Sequence, residues 1–258
     1  MTSPRSAPTP VPWLTDPDPA LLHVLSSLAP SLPPLVPAAS EEAVDAVGAG
    51  ECGEPLVVLP PELGRRHCYR ELDLPTAPLA MRLRRGVVER LLQAQDALPD
   101  GFSLVVLDGW RTSRFQGDLL AYYREQTGEA LDGYVSDPAS STRMAPHTTG
   151  GAVDLTLAHE GVALALGTDF DSFDDAAHLL ALESVGDDDE AHRRVARDLR
   201  RLLGQVLTGA GFAPYPLEWW HWSYGERYWA FGTGASHARY GPVAPPGSDA
   251  RAVTRREA

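Results

Sequence analysis

The sequence contains no lysine, no asparagine and no isoleucine, so all 22 of its cationic residues are arginines. The missing residue types have codons rich in A or T, and their absence indicates a GC-rich genome, as many bacteria have. Positive charge is also scarce, because 35 acidic residues leave a formal net charge of −13. Nucleic acids and anionic membrane surfaces bind clustered positive charge. We therefore expect neither as a partner.

Cysteines and long apolar runs are scarce as well. Cys52 and Cys68 are too few for a disulfide scaffold and form no C-x-x-C arrangement. No run approaches the roughly 18 apolar residues of a membrane span, and the N-terminus has no unbroken apolar stretch of the signal-peptide type. These absences predict a cytoplasmic protein. Hydrophobic residues make up 43% of the chain, which is enough for a sizeable core.

The chain divides into three regions by composition. Its first 50 residues are rich in proline, alanine and serine, and the apolar patch Leu21–Leu28 predicts one short helix that the following prolines stop. We expect residues 1–54 to be an appendage, residues 55–240 to be the functional domain, and residues 241–258 to be a flexible tail.

Hydrophobic spacing predicts the elements of the central region. Apolar residues recur at helical spacing in three stretches, which are Ala80–Ala97, Gln116–Arg124 and Glu190–Leu207. Short apolar or aromatic runs predict four strands, the second and third as a hairpin: Ser103–Leu107, Val153–Leu157, Val162–Leu166 and Glu218–Tyr224. The expected fold class is α+β, with helices packed against a small antiparallel sheet.

Two histidines and an aspartate form the strongest candidate site. A catalytic zinc ion takes three protein ligands and leaves one position for water, and His147, Asp154 and His221 fill that count. Asp154 begins an apolar run, so we place it on a strand. Gly150 and the glycine after it let the preceding chain turn back and bring His147 beside it. The remaining histidines are expected to be structural or exposed.

Glu218 and Arg111 are candidates for the chemistry beside the metal. A carboxylate next to zinc can take a proton from water as the water attacks a peptide carbonyl. Glu218 lies three positions before His221, on the opposite face of a regular strand, so a bulge or local twist is needed. Arg111 follows a buried strand and could stabilise a developing oxyanion. Taken alone, its segment is equally compatible with a turn whose arginine is solvated.

Five ordered blocks resemble those of VanX-type D-alanyl-D-alanine dipeptidases, over roughly residues 55–235. These enzymes belong to a wider group of zinc peptidases with lysostaphin, D,D-carboxypeptidases and the hedgehog signalling domain. The blocks are Leu107–Arg111, Gly133–Val135, His147–Leu157, Gly167–Asp171 and Leu217–Trp222.

The resemblance implies one zinc ion per chain and hydrolysis of D-Ala-D-Ala, a small D,D-dipeptide, to free D-alanine. The setting would be wall recycling or protection against glycopeptide antibiotics. The implied site consists of the zinc ligands His147, Asp154 and His221, the base Glu218, the transition-state arginine Arg111, and Asp171 for the free amine of the substrate. A carboxylate that faces an ammonium group would select short substrates with a free N-terminus.

One departure leaves other functions open. The family has a serine two residues before the first histidine, for the carboxylate of the substrate, and this chain has Ala145 there. Donors between Ser140 and Arg143 could replace it. A D,D-carboxypeptidase or wall endopeptidase acting on longer peptides is one alternative, and a non-catalytic zinc-binding module is another. Glu218 and Arg111 argue against the second. The sequence assigns no oligomeric state.

Overall fold

The computed structural model describes residues 12–28, 32–38, 44, 46–72, 74–127 and 145–245. In these residues the α-helices are α1 (Leu21–Leu28), α2 (Arg85–Asp96), α3 (Ser113–Thr127), α4 (Ala191–Gly209) and α5 (Arg227–Gly232). The strands are β1 (Leu56–Val58), β2 (Gly64–Arg65), β3 (Arg82–Arg84), β4 (Phe102–Asp108), β5 (Ala152–His159), β6 (Val162–Ala163), β7 (Ala213–Pro214) and β8 (His221–Ser223).

The main sheet has the strand order β2-β4-β5-β8-β7, with β6 paired to β5. All its pairs are antiparallel except β2 with β4. Helix α4 packs on this sheet through a buried stripe that includes Val195, Leu199 and Leu203, at the spacing of one helix face. The α+β prediction, with helices against a small and mainly antiparallel sheet, is confirmed.

The predicted helix over Ala80–Ala97 is wrong at its start. Arg82–Arg84 forms β3, which pairs with β1, and the helix begins only at Arg85. The N–H of Arg84 donates to the carbonyl of Gly150, at 2.9 Å, so the segment is fixed as extended chain by a distant partner. Leu83 is buried in the strand, and a buried residue at this position also fits an apolar helix face, so apolar spacing did not reveal the strand.

The strand predictions hold in part. The hairpin forms, but β6 has two residues, and Ala165 then donates to the carbonyl of Thr15 in the N-terminal region at 2.8 Å. The predicted strand Glu218–Tyr224 is wrong at its start, because β8 begins at His221 and a turn precedes it.

The N-terminal region contacts the rest of the chain. Helix α1 lies where it was predicted and packs on α4, and Leu14, Leu21 and Leu25 belong to the main hydrophobic core. The domain boundaries and the cytoplasmic location stay predictions. In the part of the chain that the structure describes, no helix is both long and apolar enough to cross a membrane.

Candidate active site

Three neighbouring strands bring three polar side chains to one level of the sheet. Asp108 at the end of β4 pairs with Asp154 of β5, and Asp154 pairs with His221 of β8. Residues that pair directly across strands point to the same face. The sheet register therefore assembles this group, although its members are far apart in the sequence.

His147 reaches the same group from a one-turn 3₁₀ helix, Pro146–Thr149. Gly150 ends this turn in the left-handed region, at φ 71°, so the expected role of the glycine is confirmed. Nδ1 of His147 lies 2.8 Å from the carbonyl oxygen of Gly109. Because a carbonyl oxygen only accepts, Nδ1 carries the proton and Nε2 presents a lone pair to Asp154 and His221.

The three predicted ligands converge on one point. Nε2 of His147 lies 3.2 Å from Nδ1 of His221 and 3.3 Å from Oδ2 of Asp154, and Nδ1 of His221 lies 3.0 Å from Oδ1 of Asp154. All three side chains are buried. Two imidazole nitrogens and a carboxylate are a donor set that suits a catalytic divalent ion. The residues present therefore fit a metal ion.

The ionisation of the donors also suits a metal. Burial and the charge of Arg111 lower the pKa of His147, although Asp154 acts in the other direction. Burial would raise the pKa of Asp154, but His147 and His221 outweigh it and hold this pKa far below its usual range. A neutral imidazole and an ionised carboxylate are the forms that coordinate metals.

Glu218 lies in the turn before β8. In a regular strand Glu218 and His221 would point to opposite faces, and this turn allows both side chains to face the same site. The N–H of His221 donates to the Glu218 carbonyl at 3.3 Å, and Oε2 of Glu218 lies 3.7 Å from Nδ1 of His221. Burial, followed by the charges of Asp154 and Asp171, raises the pKa of Glu218 well above its usual range. A raised pKa makes a carboxylate a stronger proton acceptor.

Arg111 is buried and held on several sides, so it is not the solvated arginine of a turn. Its Nε donates to Asp108 at 2.6 Å, and its Nη2 donates to Asp154 at 3.2 Å and to the hydroxyl of Tyr69 at 3.1 Å. Nη1 donates to Gln116 at 3.0 Å. Three of these partners are not among the predicted site residues: Asp108, Tyr69 and Gln116. Asp108 belongs to the same sequence block as Arg111. Nothing in the local sequence around Tyr69 or Gln116 indicates a functional role.

Asp171 faces the site from a loop between β6 and α4. Its backbone lies in the left-handed region at φ 55°, and its carboxylate accepts a hydrogen bond from the Tyr123 hydroxyl. Burial of most of its surface raises the pKa of Asp171 to about 7. Tyr123 was not among the predicted site residues, because its only signal in the sequence was a helical position.

Two parts of the resemblance lie outside the described residues, namely the block Gly133–Val135 and the donors Ser140–Arg143. Ala145 is described. It is buried, and its carbonyl accepts from the N–H and the hydroxyl of Thr148, at 3.0 and 2.7 Å. Its backbone thus shapes the turn that carries His147.

A buried donor set beside a carboxylate and a fixed arginine is typical of metal-dependent hydrolases. Comparison with known families specifies the class further. The peptidase M15 family model, described as D-Ala-D-Ala dipeptidase, matches residues 81–233, and the chain belongs to this family of metallopeptidases.

Individual relatives agree with this assignment. The chain is 25% identical over 232 residues to a D-alanyl-D-alanine dipeptidase of Synechocystis sp., which covers 77% of this chain and 93% of the relative. It is 28% identical over 154 residues to that of Enterococcus faecium, with 53% and 69% covered, and 30% identical over 156 residues to that of Enterococcus faecalis, with 54% and 70% covered. The resemblance found in the sequence is confirmed.

Proposed function

We propose that this chain hydrolyses D-alanyl-D-alanine to D-alanine, with one zinc ion held by His147, Asp154 and His221. The observation that carries the proposal is the convergence of three donor atoms within 4.8 Å of one another, next to the buried Glu218. The names of the relatives support the dipeptide as substrate.

The protein orients the donors before any ion binds. The carbonyl of Gly109 fixes the tautomer of His147, and Arg111 holds one oxygen of Asp154. Partners of this kind orient ligands and tune their basicity. A zinc ion at this position would supply Lewis acidity and make nearby water more acidic.

Glu218 is the proposed proton carrier. It would take a proton from water as the water attacks the peptide carbonyl, and it would then give a proton to the departing amine nitrogen. Its raised pKa supports the first transfer, because it makes the carboxylate a stronger base.

Arg111 is proposed to stabilise the oxyanion that develops on the carbonyl. Asp108 and Gln116 hold its guanidinium in place. A cation that is fixed in advance needs no reorganisation when the charge appears, which is the condition for strong electrostatic stabilisation.

Asp171 is proposed to bind the free ammonium group of the dipeptide. A substrate ammonium would pair with a carboxylate that is otherwise poorly compensated, whereas an N-acylated peptide would leave this carboxylate without a cation. That difference would select against longer peptides.

The test measures D-alanine release by zinc-loaded protein from D-Ala-D-Ala and, in parallel, from an N-acylated tripeptide ending in D-Ala-D-Ala. We expect release from the dipeptide only, with kcat about 10²- to 10⁴-fold lower in Glu218→Ala, which is the usual effect of losing a general base. Glu183→Ala is the matched control, since Glu183 pairs with Arg201, outside the site. Release from the tripeptide would make the chain a carboxypeptidase instead, and release from neither would refute the proposal.

A further inference from the structure

The loop of residues 166–178, which carries Asp171, is held at both ends by one side chain. Arg200 of α4 is 2% exposed. Its guanidinium donates to three loop carbonyls: Leu166 at 2.7 Å, Ala176 at 2.7 Å and His178 at 2.8 Å. These contacts fix the two ends, but none of them reaches residues 169–171.

The middle of the loop is held by the N-terminal region instead. The Asp169 carboxylate accepts the N–H of Trp13 through Oδ2 and the N–H of Leu14 through Oδ1, both at 2.9 Å. Thr15 continues the attachment, since its N–H donates to the Ala163 carbonyl at 3.1 Å and its carbonyl accepts from Ala165. Residues 13–15 thus run beside the start of the loop and are bonded to its middle through one carboxylate.

The residue between Asp169 and Asp171 transmits this restraint. The ring of Phe170 packs against the rings of Trp13, Tyr69 and Trp220, with centroid distances of 5.4, 5.6 and 5.6 Å. Asp171 follows in a left-handed conformation, which costs energy for a residue other than glycine and persists only where the surroundings enforce it. The neighbours that enforce it include Asp169 and the aromatic contacts of Phe170.

We propose that Asp169 is a positioning residue for recognition of the substrate ammonium group, and that residues 13–15 are therefore part of the substrate-binding apparatus. Asp169 acts by tying Trp13 and Leu14 to the loop, which fixes the carboxylate of Asp171. This inference rests on the proposed role of Asp171. The groups proposed for bond cleavage lie on other elements, so loosening Asp169 affects binding more than chemistry.

The first measurement is steady-state hydrolysis of D-Ala-D-Ala by Asp169→Ala. Three charge-assisted hydrogen bonds are lost, from the N–H groups of Trp13, Leu14 and Phe170. We expect KM to rise about five- to tenfold while kcat stays within about twofold. Asp169→Asn keeps one acceptor and should give an intermediate KM. Asp175→Asn is the control, because Asp175 lies in the same loop with a fully exposed side chain, and its KM should match that of the unchanged protein.

A double-mutant cycle with Asp171→Asn separates positioning from general destabilisation. If Asp169 acts through Asp171, the Asp169→Ala change should alter kcat/KM by less than about twofold once Asp171 is replaced. Hydrogen exchange of metal-free protein gives a second readout, in which Asp169→Ala should speed exchange at the amides of Trp13, Leu14 and Phe170.

The outcomes discriminate between the two proposals. An unchanged KM in Asp169→Ala, or an equal effect in both backgrounds, overturns the positioning role while leaving the dipeptidase intact. Absence of D-Ala-D-Ala hydrolysis by the unchanged zinc-loaded protein refutes the proposed function, and the positioning role fails with it.

Discussion

The proposed metal-ligand group, which consists of His147, Asp154 and His221, and the loop of residues 166–178 are neighbours that are built by different means. Asp154 and His221 are placed by the register of paired strands, and His147 by a short turn closed at Gly150. The Asp171 loop has no strand partner along residues 166–178 and is held by side chains of Asp169 and Arg200. The proposed metal ligands are thus positioned by backbone pairing, whereas the proposed ammonium-binding loop depends on tertiary contacts. We therefore expect mutations to impair the two regions separately.

The largest effect is expected in the metal-ligand group. His147→Ala should lower the zinc content of the purified protein from one per chain to none and reduce kcat about 10³-fold or more, because several kcal/mol of transition-state stabilisation are lost. Metal analysis and hydrolysis assays check both. His159→Ala is the control, since His159 lies at the opposite end of β5 and contacts Phe102. Retention of stoichiometric zinc in His147→Ala would contradict the ligand assignment.

An intermediate effect is expected at the ends of the loop. Arg200→Met removes the guanidinium from three carbonyls and should lower the free energy of unfolding by about 1–3 kcal/mol. Among the described residues, only the carbonyl of His178 keeps another donor, the N–H of Ala181 at 3.0 Å. The loop also bonds to the turn of Glu218, through the N–H of Trp219 and the Ala177 carbonyl at 3.0 Å. We therefore expect KM to rise and kcat to fall together, unlike in Asp169→Ala.

Arg201→Met is the matched control for Arg200 in the same helix. Arg201 pairs with Glu183 at 2.7 Å, outside the loop, and its loss should cost no more than about 1 kcal/mol. Denaturant unfolding and steady-state kinetics of both variants would test this. Equal kinetic effects of the two substitutions would contradict the role of Arg200 in holding the ends of the loop.

The smallest effect concerns the ionisation of Asp171. Its pKa is raised by burial to about 7, with Tyr123, Tyr69 and Arg111 opposing the rise and Asp154 adding to it. Between about pH 4 and pH 7 the Asp171 carboxyl is protonated in the folded protein but ionised in the unfolded chain. Its ionisation in the folded protein as the pH rises therefore destabilises the fold. This cost is absent below about pH 4 and complete above about pH 7.

Asp171→Asn should therefore stabilise the metal-free protein at pH 8, by on the order of 1–2 kcal/mol after allowance for solvent screening. The gain should shrink as the pH falls toward 4, since both proteins are then neutral at this position. Thermal unfolding of both proteins across this pH range measures it. A gain that does not depend on pH would mean that Asp171 does not titrate in the folded state as stated.

The sequence predicted those features that depend on local pattern. The spacing of His147 and Asp154 around two glycines, and the apolar stripe of α4, indicated their structures directly. The start of β3 was missed because its partners are in β1 and at Gly150. Distant partners also explain why three residues of the site were not predicted, namely Tyr69, Tyr123 and Asp169. Their contacts join residues 42, 48 and 156 positions apart, which no local spacing reveals.

The shortness of β8 has a consequence for how the sheet holds together. This strand has three residues, and the pair between Asp154 and His221 is the last one of its ladder with β5. Beyond this pair the described residues show only one further backbone hydrogen bond between the two segments, from the N–H of Leu155 to the carbonyl of Trp220 at 3.1 Å, and short ladders open most easily at their ends. An ion that bridged the side chains of Asp154 and His221 would join the strands at that end, so metal occupancy and the order of β8 would form one linked equilibrium. Chelation would then loosen β8 and the Glu218 turn first, well before the core beneath α4 unfolds.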